Sequence, residues 1–267
     1  MTMSFLLHDS LNEIETAEMN SPHRVNGGGQ STSPLSRVTV LEEKLKIPLA
    51  EGLISRPRLL ELLDRSIEQY GATLISGRAG TGKTTLAAEY ARRARGSSWY
   101  TIEPADLDWR EFSASFSASL FGTRRPPRAG DGFAADPAGI SSYLAATFGK
   151  LAKRKRKTPK LIVLDNVHHL FDAPWFGEFF RQLIVSLDEN ARLLMLCRSK
   201  PTAPLWRLRS KQMLNVIDEN MLDLSEEEAR AIGKMRGVAN DASAAALKRS
   251  FGRIGTFLKY LPQDSDQ

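Results

Sequence analysis

Residues 72–91 read ATLISGRAGTGKTTLAAEYA. Thr73, Leu74 and Ile75 make a short apolar run with β-branched members, the pattern of a buried strand. Gly77, Gly80 and Gly82 then crowd a turn that ends in Lys83, Thr84 and Thr85, after which Leu86, Ala87, Tyr90 and Ala91 recur at helical spacing. Strand, GxxxxGK(S/T), helix is a phosphate-binding loop in the context that gives the motif its meaning. Glycines let the chain curl so that consecutive N–H groups turn inward on phosphate oxygens, and the following helix adds its positive end. Gly77, Arg78, Ala79, Gly80, Thr81, Gly82, Lys83, Thr84 and Thr85 are therefore the candidate nucleotide-binding residues. Lys83 is expected to reach the β- and γ-phosphates, and the Thr84 hydroxyl to ligate Mg²⁺.

Outward from this loop, the chain divides into segments. Residues 1–37, with a triple glycine at 27–29 and STSP at 31–34, read as a disordered leader. Pro57 suits the first turn of a helix whose buried face is Leu59, Leu60, Leu62, Leu63 and Ile67. After the loop helix come a strand at 99–102, a helix at about 109–120, a loop at 124–137 and a helix at about 138–153. Leu161 to Leu164 form a buried strand ending in Asp165, an acid placed where open α/β sheets bind ligands, so Asp165 joins Thr84 as a candidate Mg²⁺ residue. Phe176, Phe179, Phe180, Leu183, Ile184 and Leu187 step along one helical face and read as core. Strands at 193–197 and 214–217 follow; Ser225 with Glu228 makes a capping box that opens a helix through about Met235, and a last helix is expected at about 242–261. Strands alternating with helices predict an α/β fold with a mainly parallel sheet covered on both faces.

Composition narrows the classes. A chain of 267 residues has room for one α/β domain and a small appendage, and 42% hydrophobic with 25% charged residues is ordinary for a soluble globular protein. The single cysteine, Cys197, excludes a disulfide framework and a zinc cluster. Neither a bilayer-spanning run nor a secretory signal is present, so a cytoplasmic location without membrane association is expected. The net charge of +6 is concentrated at Arg124, Arg125 and Arg128 and in the KRKRK run at 153–157. Such runs are more often solvated helix ends than binding sites, and a positive balance also suits a nucleotide.

The order LISRPRLL, SGRAGTGKTTL, SSWYTIEPADLDWREF, LIVLDNVHHL, LLMLCRSKP, LDLSEEEA resembles the MalT-type branch of the STAND P-loop NTPases, AAA/NB-ARC-like modules of LuxR-type transcriptional regulators. The resemblance covers residues 45–261. It implies a three-layer P-loop sandwich at 38–223 with a five-stranded sheet in the order 5-1-4-3-2, then a partial helical lid at 224–267. It implies that Ile54, Arg56 and Pro57 lie near adenine and ribose, that Asp165 is the Walker B acid, and that Arg198 senses the γ-phosphate. His168 also falls on a family position, although a lone histidine after a strand is more often structural.

Two departures stand out. Asn166 occupies the place of a second acid, and an amide accepts no proton, so hydrolysis is expected to be weak; Glu103 and Asp106 are the nearest substitutes. The lid's Gly-Trp-Pro-like motif is reduced to Gly252-Arg253-Ile254. The expectation is an ATP/ADP-binding switch using Mg²⁺, with a protein partner or self-association, in a chain without a DNA-binding domain. The alternative is a nucleic-acid-associated AAA-like ATPase, for which KRKRK is the pointer; a small-molecule kinase fits less well, because Arg198 downstream of Asp165-Asn166 is not a kinase lid arrangement.

Overall fold

The computed structural model describes residues 40–49, 54–94, 96–123, 133–154, 158–201 and 205–262. The leader, Arg124, Arg125, Arg128 and the 155–157 part of the basic run lie outside the described residues.

Five parallel strands form one sheet: β1 (Ala72–Ser76), β2 (Ser98–Thr101), β3 (Lys160–Asp165), β4 (Ala191–Cys197) and β5 (Leu214–Ile217), in the order β2-β3-β4-β1-β5. That is the 5-1-4-3-2 order implied by the resemblance, with β4 between the two motif strands. Strands covered on both faces carry continuous apolar runs, and β1 and β3 are buried at every position. Register brings the C-terminal ends together: Ser76 pairs with Cys197, and Thr101 with Asp165.

The two faces of the sheet are packed differently. One carries α1 (Pro57–Gln69) and α2 (Lys83–Arg93), whose Leu59, Leu63, Leu86 and Ala87 meet Ile75, Val163 and Leu196. The other carries α3 (Trp109–Phe121), α4 (Pro137–Ala152) and α5 (Phe176–Val185) around an aromatic core. There Phe112, Trp109, Trp175 and Phe179 meet tilted or edge to face at 4.8–6.2 Å. Fully burying each such ring contributes about 1.5–3 kcal/mol. The stripe from Phe176 is core, as its spacing predicts.

After the short α6 (Leu205–Ser210), which the sequence reading omits, and β5, the chain enters α7 (Glu226–Met235) through the Ser225–Glu228 capping box, formed in both directions. The single last helix expected at 242–261 is corrected to two, α8 (Asn240–Ser250) and α9 (Ile254–Tyr260). Phe251 and Gly252 both take left-handed backbone, φ +50° and +77°, which ends α8 and turns the chain. Gly252 fits because a Cβ there would stand 2.7 Å from Cβ of Asp223. Leu224, Ala229, Ile232, Ala246, Phe257 and Leu261 make a small separate core for these three helices. No helix among the described residues is long and apolar enough to cross a membrane.

Candidate nucleotide site

All the motif residues lie at one edge of the sheet, because parallel strands deliver their C-terminal ends to the same side. The 77–82 loop leaves β1 and enters α2 through Gly80 and Gly82, at φ +82° and +87°, backbone that side chains with a Cβ rarely adopt. Gly77 admits its neighbour: a Cβ there would stand 3.2 Å from Cβ of Glu219, on the turn after β5. The Glu219 carboxylate accepts the Arg78 N–H at 2.9 Å and its Nε–H at 2.8 Å. Those donors hold the Glu219 carboxyl below its usual range.

Lys83 is 9% exposed and donates to the carbonyls of Gly77 and Arg78, the latter at 2.8 Å, with the Thr81 hydroxyl at 3.3 Å. Burial lowers its pKa. Across the rim, the Thr84 hydroxyl donates to Asp165 Oδ2 at 3.1 Å, and the Asn166 N–H to Oδ1 at 2.8 Å. Asp165 is only 4% exposed, and burial raises its pKa despite the hydroxyl, the amide and Lys83. A buried carboxylate thus under-compensated beside a hydroxyl fits a divalent cation. Among the described residues no cluster of three His, Cys, Asp or Glu could hold an ion by itself. Such a pair suits Mg²⁺, which takes one or two protein ligands and completes its shell with phosphate and water.

Asn166 takes φ +61°, where Asn is tolerated better than most residues, and starts the 3₁₀ turn Val167–Leu170. Arg198 follows β4, is exposed, and has no hydrogen bond or ion pair among the described residues; its charge acts on Lys83, Asp165 and His168. Glu103 and Asp106 are drawn away from the rim: both carboxylates meet Lys44, at 2.9 and 3.2 Å. They are not free to replace a second acid.

The segment before the loop is built into the lid. Arg56, 5% exposed, forks onto Glu228 through Nε at 3.1 Å and a terminal nitrogen at 2.8 Å, and donates to the carbonyls of Leu222 and Asp223. Arg58 adds bonds to the Met221 and Asp223 carbonyls and to Glu228. Burial opposes the Glu228 charge, but Arg56, the Ser225 N–H and Arg58 outweigh it and hold the carboxyl at about 2. Ile54 packs on the lid core, and Pro57 sits at the first turn of α1. The structure thus gathers Gly77 to Thr85, Asp165, Asn166 and Arg198 at the rim and places the Arg56 guanidinium in the latch.

The lid also touches the phosphate loop itself. Gly255 N–H donates to the Gly80 carbonyl at 2.9 Å, and a Cβ on Gly255 would stand 2.9 Å from that oxygen and 3.1 Å from Gly80 Cα. Ile254 Cγ2 lies 3.1 Å from where a Gly82 Cβ would be. Glu219 and Gly255 carry no motif, and Arg58, though inside LISRPRLL, is given no role by it; the Ser225–Glu228 box locates Glu228 but not its partner.

Fold and rim together define a P-loop nucleotide-binding protein. A family model described as an AAA ATPase domain matches residues 56–196, more than half of the chain, and the chain belongs to that family. The HTH-type transcriptional regulator MalT of Klebsiella pneumoniae subsp. pneumoniae is 28% identical over 200 residues, covering 72% of this chain and 21% of that protein. MalT of Cronobacter sakazakii is 28% identical over 195 residues, with the same coverage. The chain thus spans about a fifth of the length of the curated relatives it matches. Among solved structures, a Walker-type ATPase of Pyrococcus abyssi is similar at TM-score 0.49 and 12% identity, over 80% of this chain and 70% of that one.

Proposed function

We propose that this chain is an ATP-binding signal-transduction switch of the STAND type, with slow ATP hydrolysis, and that it serves as the nucleotide-reading part of a transcriptional regulator. The reading is carried by one observation: the Gly255 N–H rests on the Gly80 carbonyl, so the phosphate loop and the lid share a contact. A ligand that presses differently on that loop as triphosphate and as diphosphate shifts the lid by its difference in affinity for the two arrangements. In this reading a sheet domain at 38–223 and a lid at 224–267 are the two moving parts, and a protein partner or a second copy reads their relation.

The roles follow from chemistry. Amides of the 77–85 loop and the Lys83 ammonium cradle the phosphates. Thr84 and Asp165 hold Mg²⁺, which when bound neutralises charge on the β- and γ-phosphates. Arg198, whose guanidinium has no partner among the described residues, is suited to the γ-phosphate. Ile54, Arg56 and Pro57 border the nucleotide side of the lid, Arg56 by fixing the lid's first turn.

Titration with ATP and ADP in Mg²⁺, paired with hydrogen exchange over α7 to α9, tests this. Micromolar binding, on the order typical of a multiply contacted triphosphate, should come with lid protection that differs between the two nucleotides. Phosphate release should be slow and should rise in Asn166→Asp. Equal lid protection in both nucleotides would exclude a switch.

A further inference from the structure

We infer that Glu219 is the positioning residue through which the phosphate loop acts on the latch, the 3₁₀ turn it opens serving as a lever between nucleotide and α7; the inference rests on the switch reading above. One end of the turn is fixed to the loop. The Glu219 carboxylate accepts both the main-chain N–H and the Nε–H of Arg78, at 2.9 and 2.8 Å. Its backbone lies so close to Gly77 that a Cβ on that glycine would stand 3.4 Å from Glu219 Cα. The two Arg78 donors keep the carboxylate charged at neutral pH, so both bonds are charge-assisted. The other end is fixed to the latch. The carbonyls of Met221, Leu222 and Asp223 take four bonds from Arg56 and Arg58, at 2.7–3.1 Å. The same two guanidiniums hold Glu228 of α7. Both ends belong to one short turn, Glu219–Leu222 with Asp223 as its C-cap, so neither moves far without the other.

Arg78 is held from two sides. Its N–H goes to Glu219, while its carbonyl takes Lys83 at 2.8 Å and the Thr81 hydroxyl at 3.0 Å. Phosphate oxygens compete for the Lys83 ammonium, so the carbonyl side slackens as a nucleotide binds, and more with a γ-phosphate than without one. The loop keeps its fold. The small adjustment at Arg78 passes through the carboxylate to the turn, and it changes how Arg56 and Arg58 are shared between the turn's carbonyls and Glu228. Packed contacts amplify such shifts because they are made or broken rather than stretched. The Gly255–Gly80 contact is a separate route, which reaches α9 and not α7.

Hydrogen exchange on the full chain with Mg²⁺, apo, with ADP and with ATP, tests this in wild type, Glu219→Ala and Glu219→Gln, whose amide oxygen still accepts the Arg78 N–H. In wild type, α7 exchange should differ about tenfold between ATP and ADP, within the usual span of coupling between two sites. In Glu219→Ala that difference should shrink to about twofold or less, and Glu219→Gln should recover part of it. The α9 response, which runs through Gly80, should persist in both variants. Apo α7 protection should stay within about twofold of wild type, because the Arg56–Glu228 pair is untouched; a merely structural role would lower it. A full ATP–ADP difference at α7 in Glu219→Ala overturns this inference alone, as does lost apo α7 protection in both variants or an equal drop at α9. No ATP–ADP difference anywhere in the wild-type lid overturns the switch reading with it.

Discussion

The phosphate loop and the lid latch solve the same problem, fixing polar groups beside a ligand, by opposite means. In the loop, Lys83 is held by carbonyls five and six residues back, and two glycines supply the backbone. In the latch, Arg56 grips Glu228 across 172 residues of sequence and the Leu222 carbonyl across 166. Contacts made within one turn persist while the local segment is folded. Contacts made at long range exist only while two separately cored bodies stay together. On the proposed switch reading the loop is the fixed part and the latch the part that opens, a difference in local stability that can be measured.

The sharpest break of this contrast is Arg56→Ala. Removing the guanidinium leaves the Glu228 carboxylate with only the Ser225 N–H and the exposed Arg58, and losing one partner of a buried pair costs up to about 3–5 kcal/mol. Hydrogen exchange should show α7 to α9 losing protection while β1, β3 and β4 keep theirs. Uniform loss across the molecule would show that the latch belongs to the global fold. Lys83→Ala attacks the other side: ATP affinity should fall at least a hundredfold, about 2.7 kcal/mol, with lid protection in the apo protein unchanged. Titration calorimetry reads the first and exchange the second.

Gly255→Ala joins the two regions. Its methyl would press on Gly80 backbone, which cannot rotate away as a side chain can, so the lid should lift at a cost of about 1–3 kcal/mol. Limited proteolysis of the lid should quicken while thermal unfolding of the sheet stays put. The mildest probe is acid. Glu228 titrates at about 2 against an ordinary 4.5, so its contribution to the folded state is complete above pH 4.5, declines as pH falls from 4.5 and is gone below about 2. Lid protection should weaken over that window in wild type and be flatter in Glu228→Gln.

The same contrast explains what could be read from sequence. The phosphate loop, the Asp165 strand, the aromatic face of α5 and the Ser225–Glu228 cap are each written within a few residues, and period or spacing announces them. The strand order came from resemblance, since nothing in β4 itself says it lies between β1 and β3. The Arg56 fork, the Glu219 hold on Arg78 and the Gly255 contact join distant segments, and no local pattern pairs one end with the other. The division between α8 and α9 stayed hidden because Phe251, a bulky side chain at positive φ, carries no turn signal, and Gly252 was absorbed into the lid motif.

Cys197 ends β4 opposite Ser76, 1% exposed, its thiol pushed up to about 11 by burial. It is the sole sulfhydryl of the chain. Alkylating reagents meet neither access nor thiolate while that core is closed, so each modification event records one opening of the fold around the end of β4. The molecule thus carries its own stopwatch for excursions beneath the anion cradle, with no label to install.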